Sequence, residues 1–127
     1  MDNLEQRKVL VVEDEIFVAL DVAATVEDAN GTVVGPVGTV RQAIDLISKQ
    51  PVDAAILDVN LADGDLEPIL DRLKSQNIFV VIHTGGGLPA HLAARYPEVP
   101  VFQKPVPPYV LTRALATALS SEIVQQV

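Results

Sequence analysis

A doubly wound α/β domain, with five parallel strands alternating with five helices in a single sheet of order 2-1-3-4-5, is the fold class this sequence predicts. Three observations predict it. Short apolar, β-rich runs recur between segments of helical spacing. Each run ends abruptly in polar residues, as expected where strands open onto a rim. Prolines fall inside only the second and fifth runs, which that order places at the sheet edges, where a missing ladder donor is tolerated.

The first run, Lys8 to Val12, ends in Glu13-Asp14-Glu15, and apolar residues then recur at Ile16, Leu20, Ala23 and Ala24 until Asn30-Gly31 stops the helix. Thr32 to Val37 is the second strand, with Pro36 inside it. Thr39-Val40-Arg41-Gln42 has the form of a capping box, and Val40, Ala43, Ile44 and Ile47 continue on one helical face to Gln50-Pro51. Asp53 to Val59 is the third strand, followed by a loop through Gly64 and a helix carrying Ile69, Leu70 and Leu73, with Pro68 in its first turn. Ile78 to Ile82 is the fourth, ending in His83-Thr84. The flexible Gly85-Gly86-Gly87 then leads to a short helix around Ala90 to Arg95. Val99 to Phe102 is the fifth strand. Pro107-Pro108 start a last helix with Leu111, Ala114, Leu115, Ala118 and Leu119 in an apolar stripe.

With 127 residues the chain has the length of one domain with one sizeable core, residues 1–127. Its 49% apolar content argues against disorder, and no apolar run approaches the ~18 residues of a membrane span. Met1 to Lys8 is polar and unlike a secretory signal, so a cytoplasmic protein is expected. The absence of cysteine excludes disulfides, thiol catalysis and thiolate metal sites. A net charge of −8, with only nine scattered Lys and Arg, argues against direct nucleic-acid binding and suits a site for a cation.

In the flavodoxin-like (βα)5 order, strands one and three are neighbours at the topological switch point, so Asp14 comes beside Asp58 and one rim collects Glu13, Asp14, Asp58, Thr84 and Lys104. Two like charges ~4 Å apart repel by ~4 kcal/mol at an effective dielectric of 20, so the cluster calls for positive charge. A hard divalent cation with oxygen ligands, Mg²⁺ or Mn²⁺, answers that need, and Lys104 adds a second charge. Asp58, centrally placed, can then act as a nucleophile toward phosphorus, with Thr84 donating a hydroxyl hydrogen bond to a phosphoryl oxygen. His83 and His91 lack matched ligand spacing and read as ordinary loop or helix residues; the triple glycine lacks the Lys-Ser/Thr ending of a phosphate-binding loop.

Val9 to Glu15, Ile56-Leu57-Asp58-Val59-Asn60-Leu61 with Asp63-Gly64, Thr84-Gly85 and Lys104-Pro105, in that order and spacing, resemble the receiver domain of two-component response regulators. The resemblance covers nearly the whole chain. It implies that Asp58 is the phosphoacceptor, that Glu13 and Asp14 hold the metal with Asp58 and the backbone carbonyl of Asn60, and that Thr84 and Lys104 contact the phosphoryl group. It also implies a cis peptide before Pro105, a histidine kinase or histidine phosphotransfer protein as donor, and output through the face of the fourth helix, fifth strand and fifth helix. With no effector segment after Val127, that output is expected in another protein. One position departs from the family: Val101 stands where a receiver usually carries Tyr or Phe, and alternation points the adjacent Phe102 to the opposite face. Phe79 to Gly85 is loosely similar to a stand-alone subgroup with a Phe-Ala-Thr-Gly motif and no such aromatic.

Two rivals keep the fold and change the function. A receiver-like binding module not regulated by phosphorylation is motivated by Val101 and the glycine run. A phosphatase or phosphotransferase acting on metabolites through Asp58 would commonly want a second acid two residues on, where this chain has Asn60.

Overall fold

A computed structural model describes residues 3–126 of the chain. Its elements are β1 (Lys8–Val12), α1 (Ile16–Asp28), β2 (Thr32–Val37), α2 (Val40–Lys49), β3 (Ala54–Leu57), α3 (Glu67–Ser75), β4 (Phe79–Thr84), α4 (Ala90–Arg95), β5 (Val101–Gln103) and α5 (Pro108–Gln126). The five strands pair in parallel in the order β2-β1-β3-β4-β5, the expected order, with the proline-bearing β2 at one edge and β5 at the other.

Strand alternation divides the core into two layers. Leu10, Val12, Ala55, Leu57, Val80 and Ile82 face α2, α3 and α4. Val9, Val11, Ala54, Ile56 and Val81 face α1 and α5, where Leu111, Leu115 and Leu119 supply the stripe read from the sequence. Because both faces are covered, the inner strands are apolar throughout instead of alternating. Leu70 is fully buried in the first layer. Its replacement by alanine leaves a cavity under α3, and Leu70→Ala is expected to lower the unfolding free energy by about 2–5 kcal/mol, read as a shift of the urea midpoint.

Several boundaries differ from the sequence reading. β3 stops at Leu57, so Asp58 is the first residue beyond the ladder; β4 runs on through His83 and Thr84; β5 begins only at Val101, leaving Val99 and Pro100 in the approach to it. His83 is therefore a buried strand residue and not a loop residue. On α1 only Ala23 of the four residues marked by the predicted spacing faces inward. Ile16 and Leu20 are 61% and 52% exposed, Ala24 is also exposed, and the inward residues are Ala19, Val22, Ala23 and Val26. The inward face is thus two alanines and two valines, and the larger Ile16 and Leu20 are left outside.

Thr39 caps α2 as its sequence asks, Oγ1 accepting from the Gln42 N–H at 3.1 Å, but the Gln42 side chain accepts from the Gly38 N–H at 3.1 Å instead of returning to the cap's own N–H. Asp63 completes this helix start from across the chain. Its carboxylate accepts from the N–H groups of Val40 at 2.7 Å and Arg41 at 3.1 Å, which hold its pKa below the ordinary value. The loop that follows Asp58 is thereby pinned to α2.

Candidate functional site

Parallel register sets which residues meet at the rim. Val12 pairs with Leu57, so the next residue of each strand, Glu13 and Asp58, emerge side by side; the Asp58 N–H donates to the Val12 carbonyl at 2.8 Å. Thr84 pairs with Gln103, and the Lys104 N–H donates to the Thr84 carbonyl at 2.8 Å, which brings Lys104 onto the same rim. The Lys104–Pro105 peptide is cis.

The Lys104 ammonium lies 2.8 Å from Glu13 Oε1, 3.1 Å from Glu15 Oε2 and 3.5 Å from Asp58 Oδ2. One carboxylate oxygen from each of Glu13, Asp14 and Asp58 falls within 4.8 Å of the others. Glu13 and Asp58 are buried, at 5% and 3% exposure, while Asp14 is open to solvent. The Asn60 N–H donates to Asp58 Oδ1 at 3.3 Å, and Asn60 itself is exposed. Thr84 is fully buried, its Oγ1 accepting from the Gly86 N–H at 3.3 Å. The structure thus brings Glu13, Asp14, Asp58 and Lys104 together, with Thr84 on the adjacent strand end and Asn60 attached through its backbone.

Burial pushes Glu13 up from 4.5 to about 7, reinforced by its hydrogen bond with Asp58 and offset in part by Lys104. For Asp58 burial also acts upward, but the hydrogen bond with Glu13, the Asn60 N–H and the Lys104 charge outweigh it and hold the carboxylate below its ordinary range. The two shifts run in opposite directions, so of the pair it is Glu13 that keeps a proton to the higher pH. Lys104 is raised: burial works against its charge, and the hydrogen bonds to Glu13 and Glu15 more than compensate. One ammonium cannot balance this many acids, and three convergent carboxylate oxygens form a donor set suited to a hard divalent cation.

Two neighbours were given no role from the sequence. Glu15 pairs with Lys104, and the only advance signal was its place in an acidic run. His83, 5% exposed, has no hydrogen-bond partner for Nε2 among the described residues; burial first and Lys104 second push its pKa down. His91 is an exposed residue of α4, 3.3 Å from Asp65 and outside this cluster. Phe102 packs into the layer toward α1 and α5, and Val101 is 40% exposed at the sheet edge, so the two side chains diverge as alternation requires.

The chain is 34% identical to SdrG from Sphingomonas melonis Fr1, covering 91% of this chain and 98% of that one with a TM-score of 0.75. It is 26% identical to the response regulator PhyR from Brucella abortus, with a TM-score of 0.80 over 99% of this chain. It is also 28% identical to the phyllosphere-induced regulator PhyR of Methylorubrum extorquens over 94% of this chain. The chain spans 53% of the first PhyR and 42% of the second, about half of each. No protein-family model matches it. The chain belongs to the receiver domains of response regulators.

Proposed function

We propose that residues 1–127 act as one phosphoacceptor receiver domain, taking a phosphoryl group from a histidine kinase or a histidine phosphotransfer protein onto Asp58 and thereby switching the binding of a downstream protein. The observation that carries this reading is the Lys104 ammonium set between Glu13 at 2.8 Å and Asp58 at 3.5 Å beside convergent carboxylates.

Asp58 is kept ionised, as a nucleophile must be. An Asp58 carboxylate oxygen forms a bond to phosphorus as the phosphorus–nitrogen bond of the donor phosphohistidine breaks, and the departing imidazole takes up a proton. Lys104 offsets charge on the phosphoryl oxygens, and Thr84 exchanges its bond from the Gly86 N–H for a hydroxyl bond to one of them. Gly85 and Gly86 have open space around them and Gly87 has φ +82°, so the loop can make that shift. Glu13, Asp14, Asp58 and the Asn60 carbonyl are the groups that would hold Mg²⁺ or Mn²⁺, which when bound neutralises phosphoryl charge. Catalysis is confined to self-phosphorylation and autodephosphorylation, with no turnover of a metabolite.

The output face is α4, β5 and α5, where Val101 and Tyr109 are 40% and 52% exposed. The phosphorelay reading places the protein in the cytoplasm; no helix among the described residues is long and apolar enough to cross a membrane. A charge of −8 supports protein partners over direct nucleic-acid contact.

The divergence of Val101 and Phe102 favours one rival, a receiver-like binding module indifferent to phosphate, because no aromatic at Val101 follows Thr84. Beryllofluoride or acetyl phosphate with Mg²⁺ separates the two. The phosphoacceptor reading expects a mass gain of one phosphoryl group and amide shifts at Asp58, Thr84 and β5. A wild-type protein that shows neither is the indifferent module.

A further inference from the structure

We propose that Glu15 is a positioning residue: it holds the Lys104 ammonium back from Asp58 and so sets how readily the site accepts a phosphoryl group. This deepens the phosphoacceptor reading and rests on it.

Glu15 occupies the N-cap position of α1, with φ −82° and ψ 108°, yet its side chain caps nothing. An N-cap carboxylate ordinarily accepts from the first turn of its own helix. Here it reaches across the rim to Lys104 instead, an interaction spanning 89 residues of chain. The ammonium sits nearer to Glu13 and Glu15, at 2.8 and 3.1 Å, than to Asp58 at 3.5 Å. Lysine has three donors, and its charge is a single resource divided among these three carboxyl groups.

The two glutamates differ in what else binds them. Glu13 is buried, belongs to the convergent cluster and hydrogen-bonds Asp58. The Glu15 side chain is 63% exposed and lies outside that cluster. For Lys104 to engage a phosphoryl group on Asp58, it must loosen its hold on Glu15, and the lost pair counts against phosphorylation. Removing Glu15 lifts that opposition. It leaves no buried group unpaired, since Lys104 retains Glu13 and Asp58. An exposed pair of this kind changes an equilibrium by roughly two- to fivefold.

Charge removal near an anion-binding site would also favour an anion, so the comparison needs a matched acid. Asp21 serves. It is an exposed α1 carboxylate lining the same cleft as Lys104, together with Phe17, His83 and Pro105, and makes no ion pair with Lys104. Glu15→Gln and Asp21→Asn each remove one negative charge, and Glu15→Asp restores it on a shorter stem.

The experiment measures beryllofluoride affinity with Mg²⁺ for wild type and the three variants, together with the NMR signal of the Lys104 side-chain amine without beryllofluoride. Glu15→Gln is expected to bind roughly two- to fivefold tighter than Asp21→Asn and to shift the Lys104 signal; Asp21→Asn leaves that signal in place; Glu15→Asp falls between wild type and Glu15→Gln. Wild type that binds beryllofluoride while Glu15→Gln merely matches Asp21→Asn overturns the inference alone. Wild type that does not bind at all overturns the phosphoacceptor reading and the inference with it.

Discussion

Asp58→Asn is expected to abolish phosphoryl uptake while the fold survives. The amide has no anionic oxygen to attack phosphorus, and removing a nucleophile costs at least about three orders of magnitude in rate. Its effect on folding is small for reasons visible around the residue. The Asn60 N–H keeps an acceptor in the amide oxygen, Lys104 keeps Glu13 and Glu15, and one negative charge leaves a crowded cluster. Stability should therefore stay within about 1 kcal/mol of wild type. Intact-mass analysis after acetyl phosphate and Mg²⁺, beside a urea titration, reads both quantities. Normal labelling of the variant would move the acceptor to another residue.

The fold was legible because a parallel sheet covered on both faces writes its strands as continuous apolar runs, and the prolines at 36 and 100 marked the two outer ones. The inward face of α1 was legible only at Ala23. Ile16, Phe17 and Leu20 are large and apolar yet lie outside, while Ala19 lies inside, so over the first five residues helical periodicity had no polar side to contrast with. His83 interrupts an apolar run, which made β4 seem to end early; the strand continues because a polar side chain does not prevent the backbone from pairing. At the rim, topology foretold that Glu13 and Asp58 would meet, since they follow the neighbouring strands β1 and β3, and it put Lys104, after the edge strand β5, at the same end of the sheet. It could not say which acids of the run 13–15 turn toward Lys104. That depends on the dihedral angles of the strand-to-helix turn, which send Glu13 and Glu15 to the lysine while Asp14 joins the acidic cluster. Asp63 escaped for a similar reason, because a cap contributed by a distant loop has no local signature.

Divalent-cation affinity is expected to fall roughly a hundredfold between pH 8 and pH 5, and Glu13 is the reason. Its proton is held to about 7, and a carboxylate that ligates a cation must first release it. Below that value each pH unit costs about tenfold in apparent affinity; above it the dependence levels off. Asp58, held below its ordinary range, stays ionised across this window and adds no slope there. Without cation the same proton gives stability the opposite sign. From the ordinary 4.5 to about 7 the folded protein keeps a proton that the unfolded chain has released, so stability falls as pH rises through that interval and is level beyond it. The lowered Asp58 acts at the acid end, where its contribution is lost as pH falls through its folded value. Saturating Mg²⁺ would draw Glu13 into its ionised form, so that folded and unfolded chains would both lack its proton, and the decline between 4.5 and 7 should flatten. Mn²⁺ titrations followed by water-proton relaxation, with urea unfolding at each pH, test both halves. Glu13→Gln should bind cation weakly with no slope from pH 5 to 8, and a wild-type affinity equally flat over that range would place that proton on some other group.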